Sequence, residues 1–278
     1  MSDLGQMLSL GFAQRALAAG LFVAVLGAVV GFFVVLRRMS FLAVGISHAA
    51  LGGVALGVLL GQSPTPWAIG FSVVVALGMA ALGRRGLSED TAMGVFFPAA
   101  MAFGVLVISL SPRWQRDLFA YLFGNILAVN SGDLWLLGSV TVIVVAVTAL
   151  FFKELLFISF DEESAHAAGV PVAPFRTLLL VLTAVTVVVA IKVVGTVLVS
   201  AMLVIPSAAA TQLTRRWQTM LAISLAVAVT ALGGGLLLSF ASPAGLQVPA
   251  GPAAVLVAAL LFALAGAWRA GRERLVRA

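Results

Sequence analysis

The chain has 278 residues, 62% of them hydrophobic and 9% charged, with a net charge of +6. Soluble domains are about half apolar and about a quarter charged, so this few charges cannot clothe a water-facing surface. The composition points to an integral membrane protein and excludes a disordered regulator, a collagen-like chain and a disulfide-rich domain; the absence of cysteine excludes disulfides and thiolate metal sites.

A bilayer-crossing helix needs roughly 20 mostly apolar residues. Such stretches run near 16–36, 41–61, 66–83, 91–110, 133–152, 174–191, 193–213, 217–238 and 249–268. The expected fold is an all-α polytopic bundle of nine transmembrane helices. The count falls to eight if the sixth and seventh stretches, which meet at Lys192, form one broken helix. The first stretch follows Asp3 rather than a basic cluster and is long enough to span. It is expected to stay as a helix rather than to be cleaved as a signal. Residues 1–278 read as one transmembrane domain.

The sparse charges orient the bundle. The loops after odd-numbered spans, with the C-terminus, hold Arg37, Arg38, Arg84, Arg85, Lys153, Arg176, Arg215, Arg216, Arg269, Arg272, Arg274 and Arg277. Those are 12 of the 16 bases; Arg15, Arg113, Arg116 and Lys192 fall on the other side. The positive-inside rule then sets the N-terminus outside and the C-terminus in the cytoplasm. The bases form no stripe with interleaved aromatics, so no nucleic-acid partner is expected.

Several chemistries are absent. Lys153 and Lys192 are the only lysines and neither follows a G-x-x-x-x-G-K-S/T loop, so a P-loop ATPase is excluded. There is no H-E-x-x-H helix and no G-x-S-x-G elbow. His48 and His166 are the only histidines, so one chain cannot build a multi-histidine metal site.

Three segments carry chemistry. His48 lies inside the second span, where an ionisable group is costly and faces a cavity or a partner. Val44 and Gly52 flank it at i−4 and i+4, and Gly52 should leave space beside the imidazole. The stripe Ala49, Gly53, Gly57, Gly61 suits close helix packing. His48 is either a packing hydrogen-bond partner or part of a pathway.

The second segment is 160–171. Asp161, Glu162 and Glu163 suit a helix start, Gly169 its stop, and Pro171 bars continuation. A short helix results whose Ala165, Ala167 and Ala168 would suit docking on a partner; the alternative is an ordinary solvated loop. Glu163-x-x-His166 has di-iron spacing, but the second pair that such a site needs is missing. The third segment is 194–210. Gly195 and Pro206 weaken the helix there, and Ser200, Met202 and Ser207 add polar or soft atoms. It reads as a kinked packing helix or as a ligand contact.

Together these segments resemble the membrane permeases of zinc/manganese-type ABC importers. Arg37-Arg38-Met39-Ser40-Phe41 with His48-Ala49-Ala50-Leu51-Gly52-Gly53-Val54 resembles that family's second-helix motif. Phe123-Gly124-Asn125-Ile126-Leu127-Ala128-Val129 resembles its central signature, and Asp161-x-Glu163-x-Ala165-x-x-x-Gly169-Val170 its coupling loop. Val194 through Ala201, with Ile205-Pro206-Ser207-Ala208, resembles its late-helix motif.

The resemblance implies a type II importer-like fold in a bacterial plasma membrane, the inner membrane of a two-membrane cell. It implies a homodimeric transporter permease rather than an enzyme, embedded in membrane lipid. A cytoplasmic ABC ATPase dimer would carry ATP and Mg, and an extracytoplasmic metal-binding protein would deliver zinc, manganese or iron; this chain itself would hold no cofactor. Asp161, Glu163, Ala165 and Gly169 would form the coupling helix near 161–169. His48 matches the pathway histidine, whereas Val44 stands where the family has an aspartate. Two copies would therefore offer two imidazoles without the two carboxylates, with Ser47, Met202, backbone carbonyls or water completing the shell. The competing readings are a permease for a metal chelate or cobalamin, an intramembrane enzyme, and an ion-coupled secondary transporter. The enzyme would need an acid, base or nucleophile set clustered at membrane depth, and the secondary transporter membrane-embedded carboxylates.

Overall fold

A computed structural model describes residues 10–110, 126–241 and 248–277. The helices in chain order are α1 (Gly11–Leu36), α2 (Ser40–Leu59), α3 (Pro64–Gly83), α4 (Glu89–Ser109) and α5 (Ser131–Leu150). Short α6 (Phe152–Phe160) and α7 (Glu162–Ala167) follow. Then come α8 (Val172–Thr196), α9 (Leu198–Leu213), α10 (Trp217–Phe240) and α11 (Ala250–Arg277). Eight of them, all but α6, α7 and α9, are long and apolar enough to cross a membrane.

Local chemistry sets the ends. At the end of α1, Arg38 takes φ 59, and Met39 N–H reaches back to the Val34 carbonyl at 2.8 Å, so the chain turns within three residues into α2. Ser88 caps α4 by accepting from Thr91 N–H at 3.2 Å, with Glu89 and Asp90 in the first turn. Asn130 and Asp133 form a reciprocal capping box on α5.

α1, α2 and α8 are the most buried spans, and α4, α5 and α11 the most exposed. Glycines let backbones meet. A Cβ on Gly53 would lie 2.6 Å from the Trp67 carbonyl oxygen in α3. One on Gly27 would lie 2.8 Å from the Met202 carbonyl oxygen in α9. Gly53 and Gly57 of the α2 stripe thus pack against α3, as their four-residue spacing predicts, whereas Gly61 lies past the end of α2 with nothing against it.

The sixth and seventh stretches meet at Gly195, whose φ of 82 and ψ of 165 break the helix between α8 and α9. α8 begins near Arg37, because Arg176 pairs with Glu89, which also faces Arg37. Its far end carries Lys192, which pairs with Asp133 at the start of α5 at 2.5 Å. α9 then returns: Ser207 meets Ser224 of α10 at 2.8 Å, and Gln212 accepts from Arg269 at 3.2 Å. Trp217, at the start of α10, lies 4.9 Å from Phe152 on the Arg37 side. The pair is therefore a reversal rather than one kinked span, and α9 is its 16-residue return arm.

The same contacts sort the bases. Arg37, Arg176, Arg215 and Arg269 share one side of the bundle, and Lys192 lies toward the other. Arg15 is on that other side, donating to the Val129 carbonyl at 3.1 Å. Arg113 and Arg116 lie outside the described residues.

Candidate functional site

His48 sits in the third turn of α2, half-buried in the single chain. Its Nδ1 lies 3.0 Å from the Val44 carbonyl and 3.2 Å from Ser47 Oγ. A carbonyl can only accept, so a proton on Nδ1 completes the bond to Val44. That tautomer leaves the Nε2 lone pair free for a ligand. Phe97 of α4 presses edge-on against the ring, with centroids 5.5 Å apart, and limits its rotation. Backbone geometry and one aromatic contact thus hold an imidazole with a single open nitrogen.

The neighbouring residues play other parts. Ser47 is fully buried and donates to the Val44 carbonyl at 2.7 Å, so its hydroxyl is engaged within its own turn. Gly52 does not open space beside the imidazole, because Phe71 and the Ala100 carbonyl fill that position. Val44, half-buried one turn before His48, presents no acid there. Phe41, Val44 and His48 form a stripe that opens to the outside of the chain.

Met202 is fully buried in α9, where its backbone lies over Gly27 of α1. That position gives it a packing role between α9 and α1. Among the described residues, no three His, Cys, Asp or Glu side chains are grouped to hold a metal ion. Any metal shell at His48 must draw on other ligands. The first three residues of the central signature, Phe123 to Asn125, lie outside the described residues.

The 161–169 segment is a short helix closed at both ends. Asp161 is its N-cap: Oδ1 accepts from Ser164 N–H at 2.9 Å and Oδ2 from Ser164 Oγ at 2.5 Å. These bonds, the hydroxyl first, hold the Asp161 carboxyl below its ordinary value of 3.8. Gly169, at φ 84, ends the helix; Val170 N–H returns to the Ala165 carbonyl and Gly169 N–H to the His166 carbonyl, both at 3.0 Å. Glu163, His166, Ala167 and Ala168 are exposed. Ala165 is fully buried, so it seats α7 on the bundle instead of facing a partner.

A cluster of charged residues ties α7 to the spans. Arg37 donates to Glu162 at 3.1 Å and to the Ile158 carbonyl at 3.3 Å, and lies 3.6 Å from Glu89. Arg176 completes the cluster by donating to Glu89 at 2.6 Å. Arg37 ends α1 and Glu89 begins α4, so α7 connects with the helix that leads into α2 and the one that carries Phe97. The sequence signal for the cluster is weak: Arg37 reads as part of the second-helix motif, Glu162 as part of an acidic helix start and Arg176 only as a base of the positive side.

The chain matches the ABC 3 transport family over residues 9–269. It is 37% identical to the manganese transport system membrane protein MntC of Halalkalibacterium halodurans, over 94% of this chain and 88% of that protein. It is 32% identical to the high-affinity zinc uptake system membrane protein ZnuB of Haemophilus influenzae, over 90% of this chain and 94% of that protein. Among solved structures it resembles a chain of PsaBC from Streptococcus pneumoniae in complex with Fab. The TM-score is 0.81 at 35% identity, covering 94% of this chain and 93% of that one. On the match from residue 9 to 269, the chain belongs to the ABC 3 transport family.

Proposed function

We propose that this chain is the membrane-spanning permease subunit of an ABC importer for divalent transition-metal ions of the manganese and zinc class. The observation that carries this reading is the end-to-end similarity to manganese and zinc permeases, joined to an imidazole at membrane depth with one open nitrogen. Two copies would meet across the Phe41–Val44–His48 stripe, placing two Nε2 atoms on a shared path. Each imidazole suits a borderline cation, and water completes the shell because Val44 supplies no carboxylate. Such a site holds the ion weakly enough to release it.

The Arg37 side is cytoplasmic in this reading, by the excess of bases there. The exposed face of α7 docks on a pair of separate ATPase subunits, which hold ATP and Mg. A metal-binding protein delivers the ion at the opposite face. ATP binding moves α7, and the Arg37–Glu162 and Arg37–Glu89 contacts carry that motion to the α1–α2 elbow and to α4.

The test is uptake of manganese and of zinc into vesicles that hold the permease, its ATPase and the binding protein. Uptake should require all three and ATP. Equal uptake by vesicles with this chain alone would overturn the proposal.

A further inference from the structure

The C-terminal helix leaves the membrane carrying a basic cleft whose outer end, Arg272 and Glu273, lies past the family match. α11 has 28 residues, about 42 Å at 1.5 Å per residue, against a hydrocarbon core of about 30 Å. Its last turns must therefore project beyond the core. The family match stops at residue 269, so Arg272 and Glu273 lie past it.

These last turns form a cleft of about 240 Å³ with the loop after α9, lined by Thr214, Arg215, Trp268, Arg269, Arg272 and Glu273. Arg269 is held in place, with Nε on Glu273 at 2.9 Å and Nη1 on Gln212 at 3.2 Å. Arg215 and Arg272 are exposed and form no ion pair among the described residues. Three arginines against one paired glutamate leave the cleft cationic.

An apolar lane leads to it. Leu256, Leu260, Leu264 and Trp268 recur every fourth residue on α11 and are all more than half exposed. Arg272 is the next residue at that spacing. Trp268 falls where an indole favours the membrane–water interface. A ligand that fits both parts has an anionic head and a long hydrocarbon tail.

We propose that this cleft is a headgroup site for an anionic phospholipid, with Arg215 and Arg272 on the phosphate and an acyl chain along Leu264, Leu260 and Leu256. A free phosphate would use the cleft but not the lane. Basic pockets at the membrane surface bind acidic headgroups by the same physics.

The test is native mass spectrometry of the full-length permease, with phosphatidylglycerol or phosphatidylcholine added to delipidated protein. Phosphatidylglycerol should be retained in preference. Arg215→Gln with Arg272→Gln should weaken its apparent affinity by roughly 30-fold, about 5-fold for each arginine. Arg274→Gln, an exposed charge on the same helix but outside the cleft, should leave retention unchanged. Unaltered gel-filtration profiles show that the variants fold. Equal retention of both lipids, or equal loss in the Arg274 variant, would overturn the site. Displacement of the lipid by millimolar inorganic phosphate would assign the cleft to a free anion instead.

Discussion

Arg37 and Glu162 join across 3.1 Å, linking the end of the first span to the short helix proposed to meet the ATPase. The two ends of this pair differ in setting. The Arg37 side chain is 7% exposed and that of Glu162 is 45% exposed. Removing the buried partner leaves Glu89 on Arg176 and Glu162 facing water, so Arg37→Ala should destabilise the fold by about 1–3 kcal/mol through its lost charge-assisted hydrogen bonds and packing. Glu162→Gln should cost about 0–1 kcal/mol. The milder variant isolates coupling from folding. In the reconstituted assembly it should keep ATP hydrolysis but move less metal per ATP. An unchanged ratio would remove the pair from the transmission path.

His48→Ala should abolish most transport with the assembly intact. Removing a group that merely supports a metal ligand costs about 10–100-fold, and loss of the ligand itself should cost no less than about 10-fold. Val44→Asp tests the other half of the site. A carboxylate one turn from Nε2 should tighten metal binding and slow release, so equilibrium affinity rises while maximal uptake does not. Radiolabelled metal binding and initial uptake rates measure the two separately. Normal uptake by the His48 variant would exclude this imidazole from the path.

Hydropathy made the spans legible, because water and hydrocarbon impose the same length rule on every crossing segment. Helix ends were legible where one residue type dominates, as with Asp161 and Gly169. Direction was not. A glycine and a proline in one apolar run mark a weak helix, but spacing alone does not distinguish a kink from the reversal at Gly195. Ala165 is similar: its smallness suited docking on a partner and equally suited burial, and the choice rests on the packing of α7 against the bundle. The Arg37–Glu89–Arg176 cluster joins residues up to 87 positions apart in its tightest bond, a relation that local pattern does not carry.

Asp161 gives the short helix α7 a pH signature. Its folded carboxyl titrates below the ordinary value of 3.8, chiefly because it accepts from the Ser164 hydroxyl and N–H. A lowered folded value means the cap's contribution is fully present above the unfolded value and disappears as pH falls through the folded one. Neutral-pH transport should therefore be insensitive to this group's titration. Asp161→Ala should raise hydrogen exchange in residues 162–167 at neutral pH and flatten the acid-side change in that exchange. Asp161→Ser, which keeps a capping oxygen, should restore part of the protection. Identical exchange in the alanine variant and the parent would mean that packing of Ala165 alone holds the helix.

Gly195 is the residue on which the α8–α9 reversal turns. Its φ of 82 with ψ of 165 lies in a region essentially reserved for glycine, so Gly195→Ala should destabilise the protein by about 1–3 kcal/mol. Gly70 is the internal comparison. It lies within α3 with open space where a Cβ would go, so Gly70→Ala should stabilise by up to about 1 kcal/mol through helix propensity. Thermal unfolding in detergent reads both effects. The Gly195 variant should also loosen the Lys192–Asp133 pair, since that contact depends on where α8 ends. Lys192→Cys with Asp133→Cys, crosslinked in the parent background, should lose efficiency when Gly195→Ala is added. If both glycine variants shift the melting point equally, the reversal does not depend on the glycine backbone.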